Sequence, residues 1–100
     1  MADVLLTLIM PDDIAQHVED LLLSRPDLVP GFTSSAAEGH GSAIALVEDA
    51  ERVAGHVPRT VIRTVGPEAA MREVLALIKR KMPRASVFYW LIPNIEAGHL

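Results

Sequence analysis

The sequence predicts one α+β domain of the ferredoxin-like kind, a βαββαβ two-layer sandwich with a four-stranded antiparallel sheet and two helices on one face. Three observations predict it. Two stretches with apolar residues at helical spacing separate four short apolar stretches of strand length. Prolines at 11, 26, 67 and 83 fall at boundaries between these stretches. The first and last strand stretches are apolar on both faces, which sets them apart from solvated sheet edges.

Val4 to Met10 is a short apolar run ended by Pro11, and reads as the first strand. Pro11-Asp12-Asp13 opens a helix. Either aspartate could cap its free N–H groups, and both suit the positive end of its dipole. Ile14, Val18, Leu21 and Leu22 form its core stripe, and Arg25-Pro26 stops it. Val29 to Gly39 is the second strand, with Gly31 near its start allowing a kink. Ser42 to Ala54 is a connection with some helical character and Gly55 as its terminator.

Val57 to Val65 is the third strand. Gly66-Pro67 starts the second helix, whose stripe is Met71, Val74, Leu75, Ile78 and Met82. Lys79, Arg80 and Lys81 sit at its negative end and Pro83 closes it. Ser86 to Pro93 is the fourth strand, followed by a short tail. Right-handed crossovers put both helices on one side of the sheet. Leu5 and Ile9 of the first strand, and one set of the alternating Val87–Ile92 residues, must then face away from the helices. An apolar face of that kind is expected to be covered by other copies of the chain.

The composition narrows the partners. Of 100 residues half are hydrophobic, mean hydropathy is +0.28, formal net charge is −4 and the isoelectric point is about 5.4. An acidic chain is a poor partner for nucleic-acid phosphates. No cysteine is present, which excludes disulfides and thiolate metal sites. The apolar start, Met1 to Met10, is too short and too acidic for a signal peptide, and no run reaches membrane-spanning length. A cytoplasmic protein without membrane insertion is the expectation.

Catalysis is not expected. No serine or cysteine nucleophile has a paired base, and no phosphate loop is present. Acylphosphatases share the fold but need an anion-cradling loop with arginine and a catalytic asparagine. Here the corresponding loop is Pro11-Asp12-Asp13 and the one asparagine is Asn94.

Two clusters could bind something. Gly39-His40-Gly41 can present backbone N–H groups to an anion, with Arg59 nearby on the next strand. His40 and His56 bracket the connection, and His99 lies in the tail; with neighbouring carboxylates they could hold a divalent transition metal. His17 shares a helix flank with Asp13 and Asp20 and reads as a solvated face.

The order and spacing of several motifs resemble the PII signalling superfamily over nearly the whole chain. Gly31-Phe32-Thr33 followed by Glu38-Gly39-His40-Gly41 is similar to its second strand and the base of its T-loop. Ala50-Glu51 and Val57-Pro58-Arg59 are similar to the far end of that loop, with Arg59 at the place of a cleft lysine. Pro67-Glu68 and Phe88 match the second helix start and a fourth-strand aromatic.

Gly31–Ser35, Gly39–Ser42, Val53-Ala54-Gly55 and Tyr89-Trp90 also resemble a small bacterial PII-like family often encoded beside heavy-metal efflux systems. The resemblance implies one domain over 1–100 with a flexible T-loop-like segment at about 42–56. It implies a homotrimer with ligand clefts between subunits and a protein partner such as a transporter, in a regulatory role touching metal homeostasis. The alternative is a metal-binding accessory protein that uses the loop and tail histidines. Met82–Ser86 lacks the glycine and lysine that PII proteins use for ATP, and the segment after the fourth strand lacks their two arginines. Arg52 stands at the regulatory tyrosine. The ligand is therefore expected to be a small anion, a nucleotide or a metal rather than ATP held by the usual residues.

Overall fold

A computed structural model describes residues 3–40 and 57–100. Its elements are β1 (Asp3–Pro11), α1 (Asp12–Leu23), β2 (Thr33–Gly39), β3 (Val57–Pro67), α2 (Glu68–Lys81) and β4 (Phe88–Asn94). The strands form one antiparallel sheet in the order β2-β3-β1-β4, the ferredoxin-like α+β arrangement. The expected connection at 42–56 lies outside the described residues.

The core sits between sheet and helices. Val4, Leu6, Leu8 and Met10 of β1 and Ile62 of β3 meet Ala15, Val18 and Leu22 of α1 and Met71, Val74 and Ile78 of α2. Each fully buried aliphatic side chain stabilises the fold by roughly 1.5–3 kcal/mol relative to exposure. Gly66 contributes by what it lacks. A Cβ there would stand 3.0 Å from the terminal methyl of Met71, so the glycine leaves room for that core side chain.

Several boundaries differ from the sequence expectation, each for a local reason. β2 begins at Thr33, not Val29, because the chain after α1 first makes a helical turn, with Leu28 and Val29 N–H groups donating to the Arg25 carbonyl. Val29 is still buried, but from that turn. β3 runs through Pro67, which pairs with Asp3, and α2 opens only at Glu68. β4 begins at Phe88 opposite Ile9 rather than at Ser86.

The aspartate cap does not form. Pro11 is the residue flanking α1, and no side chain caps the helix. Asp12 lies inside the first turn, and its Oδ1 accepts a hydrogen bond from Thr60 Oγ1 at 2.9 Å, tying α1 to β3. Its charge still favours the helix N-terminus. At the other end Ser24 closes α1, its hydroxyl donating to the Leu21 carbonyl at 2.6 Å.

Candidate functional site

The strand register organises the helix-free face into rows. Strand alternation sends Val4, Leu6, Leu8 and Met10 to the helices, so Leu5, Thr7 and Ile9 take the other side. Across the sheet, Thr33, Arg63, Thr7 and Trp90 form one row. Ser35, Val61, Ile9 and Phe88 form the next, and Val65, Leu5 and Ile92 lie on the other side of the first. Arg59 continues the face beside Ala37 and Pro11.

The middle of this face is tight and its β4 edge is not. Thr7 and Val61 are buried, whereas Phe88, Trp90 and Ile92 are 68%, 39% and 47% exposed. The rings of Phe88 and Trp90 meet edge-on, with centroids 6.3 Å apart. β2 carries only small side chains at the opposite edge: Thr33, Ser35 and Ala37.

A cavity of about 310 Å³ opens on this face where the chain enters β2, lined by Leu5, Gly31, Phe32, Thr33, Arg63, Thr64 and Val65. Its wall is held in place by the Thr64 hydroxyl, which donates to the Gly31 carbonyl at 2.8 Å. Leu5, Phe32 and Val65 give it apolar surface, the Thr33 hydroxyl a donor and acceptor, and the Arg63 guanidinium a permanent positive charge. That mixture suits a flat, partly apolar molecule carrying an anionic group.

The sequence-predicted residues fall elsewhere. Gly39 and His40 lie at the far end of β2, and Gly39 is buried opposite Val57. His40 is exposed, with its Nε2 3.6 Å from Glu38 Oε2. Glu38 also borders a second hollow, of about 360 Å³, with Asp12, Ala36, Ala37 and Pro58. Two carboxylates there disfavour an anion. Gly41 and His56 lie outside the described residues.

Arg59 is a different case. It is only 8% exposed, and its Nη1 has no hydrogen-bond partner among the described residues. A buried donor left without an acceptor costs on the order of 1–3 kcal/mol. It sits four residues from Arg63 on the same face of β3, so two guanidinium-bearing positions flank Val61.

The metal reading gathers less. His99 is exposed in the tail after β4. β4 ends beside Asp3, at the end of the sheet opposite His40. Among the described residues, no group of three or more His, Asp or Glu is placed to hold a metal ion.

Sequence reading did not pick out Arg63, Thr64 or Val65 as cavity residues. The signal was the alternation that puts Arg63 in the same plane as Leu5 and Val65, but only the β1–β3 and β2–β3 registers join it to Thr33. Among the described residues no helix is long and apolar enough to cross a membrane.

Comparisons with known proteins agree with this architecture. The model of a family described as protein of unknown function (DUF3240) matches residues 1–100. A crystal structure of a DUF3240 family protein from Shewanella baltica superposes with a TM-score of 0.79 at 21% identity, covering 100% of this chain and 98% of that one. CPII, a nitrogen regulatory PII-like protein from Thiomonas intermedia solved with ADP, AMP and bicarbonate, gives 0.71 at 19% identity, covering 100% and 97%. A PII-like signalling protein from Thermus thermophilus gives 0.65 at 15% identity, covering 94% and 87%. A search of curated proteins finds no relative.

Proposed function

The chain belongs to the DUF3240 family and has a PII-like fold, and on that premise we propose that it is a PII-like regulatory protein that senses a small anionic ligand, of the nucleotide or bicarbonate class, on the helix-free face of its sheet. The observation that carries this reading is the cavity beside Arg63, with apolar walls from Leu5, Phe32 and Val65 and a hydroxyl from Thr33. A ring fits its apolar part, and a single anionic group meets the guanidinium. CPII was solved with ADP, AMP and bicarbonate, which makes these three the first ligands to try.

Arg59 is the second anion contact in this reading. Its buried, unpartnered Nη1 supports that role, as a bound carboxylate or carbonate oxygen would satisfy it. Gly39 and His40 stand further off, beyond Arg59 at the β2–β3 end of the sheet. The likeness to a nitrogen regulatory PII-like protein supports regulation as the role. The working form is a homotrimer, and the output is contact with a protein partner such as a transporter in metal homeostasis; the family resemblance supports those two points.

The test is a thermal-shift and calorimetric titration with AMP, ADP and bicarbonate, separately and together. A ligand present at 100 times its Kd raises stability by about 2.7 kcal/mol. Binding weakened by roughly 10–100-fold in Arg63→Ala, with the fold intact, is the expected result. No shift and no heat from any of the three sinks the reading.

A further inference from the structure

Charge is spread unevenly along this acidic chain. From Val74 through Ile95 it carries four cations, Lys79, Arg80, Lys81 and Arg84, and no aspartate or glutamate. All four are exposed. Among the described residues none of them meets a carboxylate or makes a side-chain hydrogen bond. The dipole of α2 accounts for cations in its last turn, where Lys79, Arg80 and Lys81 stand. It does not account for Arg84, which lies beyond the end of the helix.

A groove of about 360 Å³ runs beside these cations, between α2 and β4. Its floor is apolar. Leu75, Met82 and Val87 pack half-buried against the core and turn their outer surface to it. Ala76 and Tyr89 form exposed walls, and Lys79 brings an ammonium to the rim. Tyr89 is on the helix side of β4, opposite Leu8 in the register. The groove and the cavity beside Arg63 are therefore on opposite sides of the sheet.

The two features together narrow the occupant. A small carboxylate would use Lys79 and leave three cations unmet. A phosphate surface would use the cations and leave the apolar floor wet. We propose that this groove docks an acidic segment of a partner protein. One apolar side chain sits over Leu75, Met82 and Val87, and flanking aspartates or glutamates meet Lys79, Arg80 and Arg84. The site rests on the regulatory reading above and gives its protein partner a surface and a chemistry. Exposed ion pairs add little each, so the apolar anchor supplies most of the affinity and the cations supply rate and selectivity.

The probe is a fluorescent octapeptide with a central Leu-Phe pair among glutamates, titrated by anisotropy against the full chain with no other ligand. Saturable binding that weakens with salt is expected. The same peptide with alanines in place of the central pair should bind about tenfold more weakly or worse. Lys79→Glu and Arg84→Glu should each weaken binding by roughly 3–10-fold. Ala76→Glu, at an exposed helical position, should weaken it as well, while Arg63→Ala leaves it unchanged. Circular dichroism checks the variants, and the salt series and alanine peptide need only the unmodified chain.

No saturation at millimolar peptide overturns the proposal, as does equal affinity for the alanine peptide or indifference to both charge reversals. Tighter binding to phosphatidylglycerol vesicles, or to a single-stranded oligonucleotide, makes the surface a membrane or nucleic-acid contact and overturns it too. The peptide titration shares no residue with the AMP, ADP and bicarbonate titrations, so either reading can fail while the other stands.

Discussion

The two faces of β1 are almost equally apolar in sequence and very unequal in the fold. Val4, Leu6, Leu8 and Met10 are buried under the helices, while Leu5 and Ile9, one step away on the same strand, are only half-buried. The difference is not hydrophobicity but what lies above each face. Two helices complete the first side from within the chain; the second has only flat neighbours, Val61, Val65, Phe88 and Ile92. A residue's burial is thus a property of its partners, and an unfinished side of this composition calls for an external one.

Truncations on the two sides should separate sharply. Leu8→Ala, at a position with no exposure, is expected to cost about 2–5 kcal/mol and to lower the melting temperature by some 10 °C or more. Ile9→Ala should cost less than half as much in dilute monomer, and progressively more at concentrations where copies associate. Calorimetry over a dilution series checks both. Equal losses at every concentration would show that the second face is already closed within one chain.

On the second face the arginines give the next effects. Arg63→Ala should weaken AMP by roughly 10–100-fold, the range for one hydrogen bond to a charged group, with unchanged circular dichroism. Arg59→Met should weaken bicarbonate in the same titrations. It should also leave the unliganded melting temperature unchanged or raised, since it removes a buried charge whose Nη1 lacks a partner. A large loss of stability would mean that Arg59 holds the fold rather than a ligand.

The smallest effect lies away from both faces. Arg25 donates to Asp27 at 2.9 and 2.8 Å in the turn after α1, and that bond holds the Asp27 carboxyl below its ordinary value of 3.8. A lowered folded-state value adds stability above the unfolded value, and the gain is lost as the pH falls through the folded one. Asp27→Asn should therefore lower the melting temperature slightly at neutral pH, with the difference shrinking as the pH falls below 3.8 and gone once it is below the lowered folded-state value. Both side chains reach solvent, and salt should reduce the difference further.

The fold was legible because its punctuation is local. Pro11, Pro67 and Pro83 mark ends of strands or helices, and the stripes Ile14–Val18–Leu22 and Met71–Val74–Ile78 declare helical faces on their own. The apolar second face was legible too, from Leu5 and Ile9 against Phe88, Trp90 and Ile92. Boundaries failed where tertiary pairing decides them, as at Pro67, which the β1 register recruits into β3. The cavity was the least legible part. Leu5, Thr33 and Arg63 come from three strands and meet only through two registers, and no window of the sequence holds them together. Gly39 and His40 stood out by being adjacent, which is a weaker criterion than sharing a plane.

Both strand-to-helix joints in this chain have no slack. Pro11 is followed at once by α1 and Pro67 at once by α2, so neither joint contains a spare residue to act as a hinge. Arg63 stands five residues before Glu68 on an unbroken strand, so a displacement of β3 there is expected to carry into α2. Lengthening either joint by one glycine would uncouple helix from sheet, leaving a molecule able to fold but deaf to whatever presses on its second face.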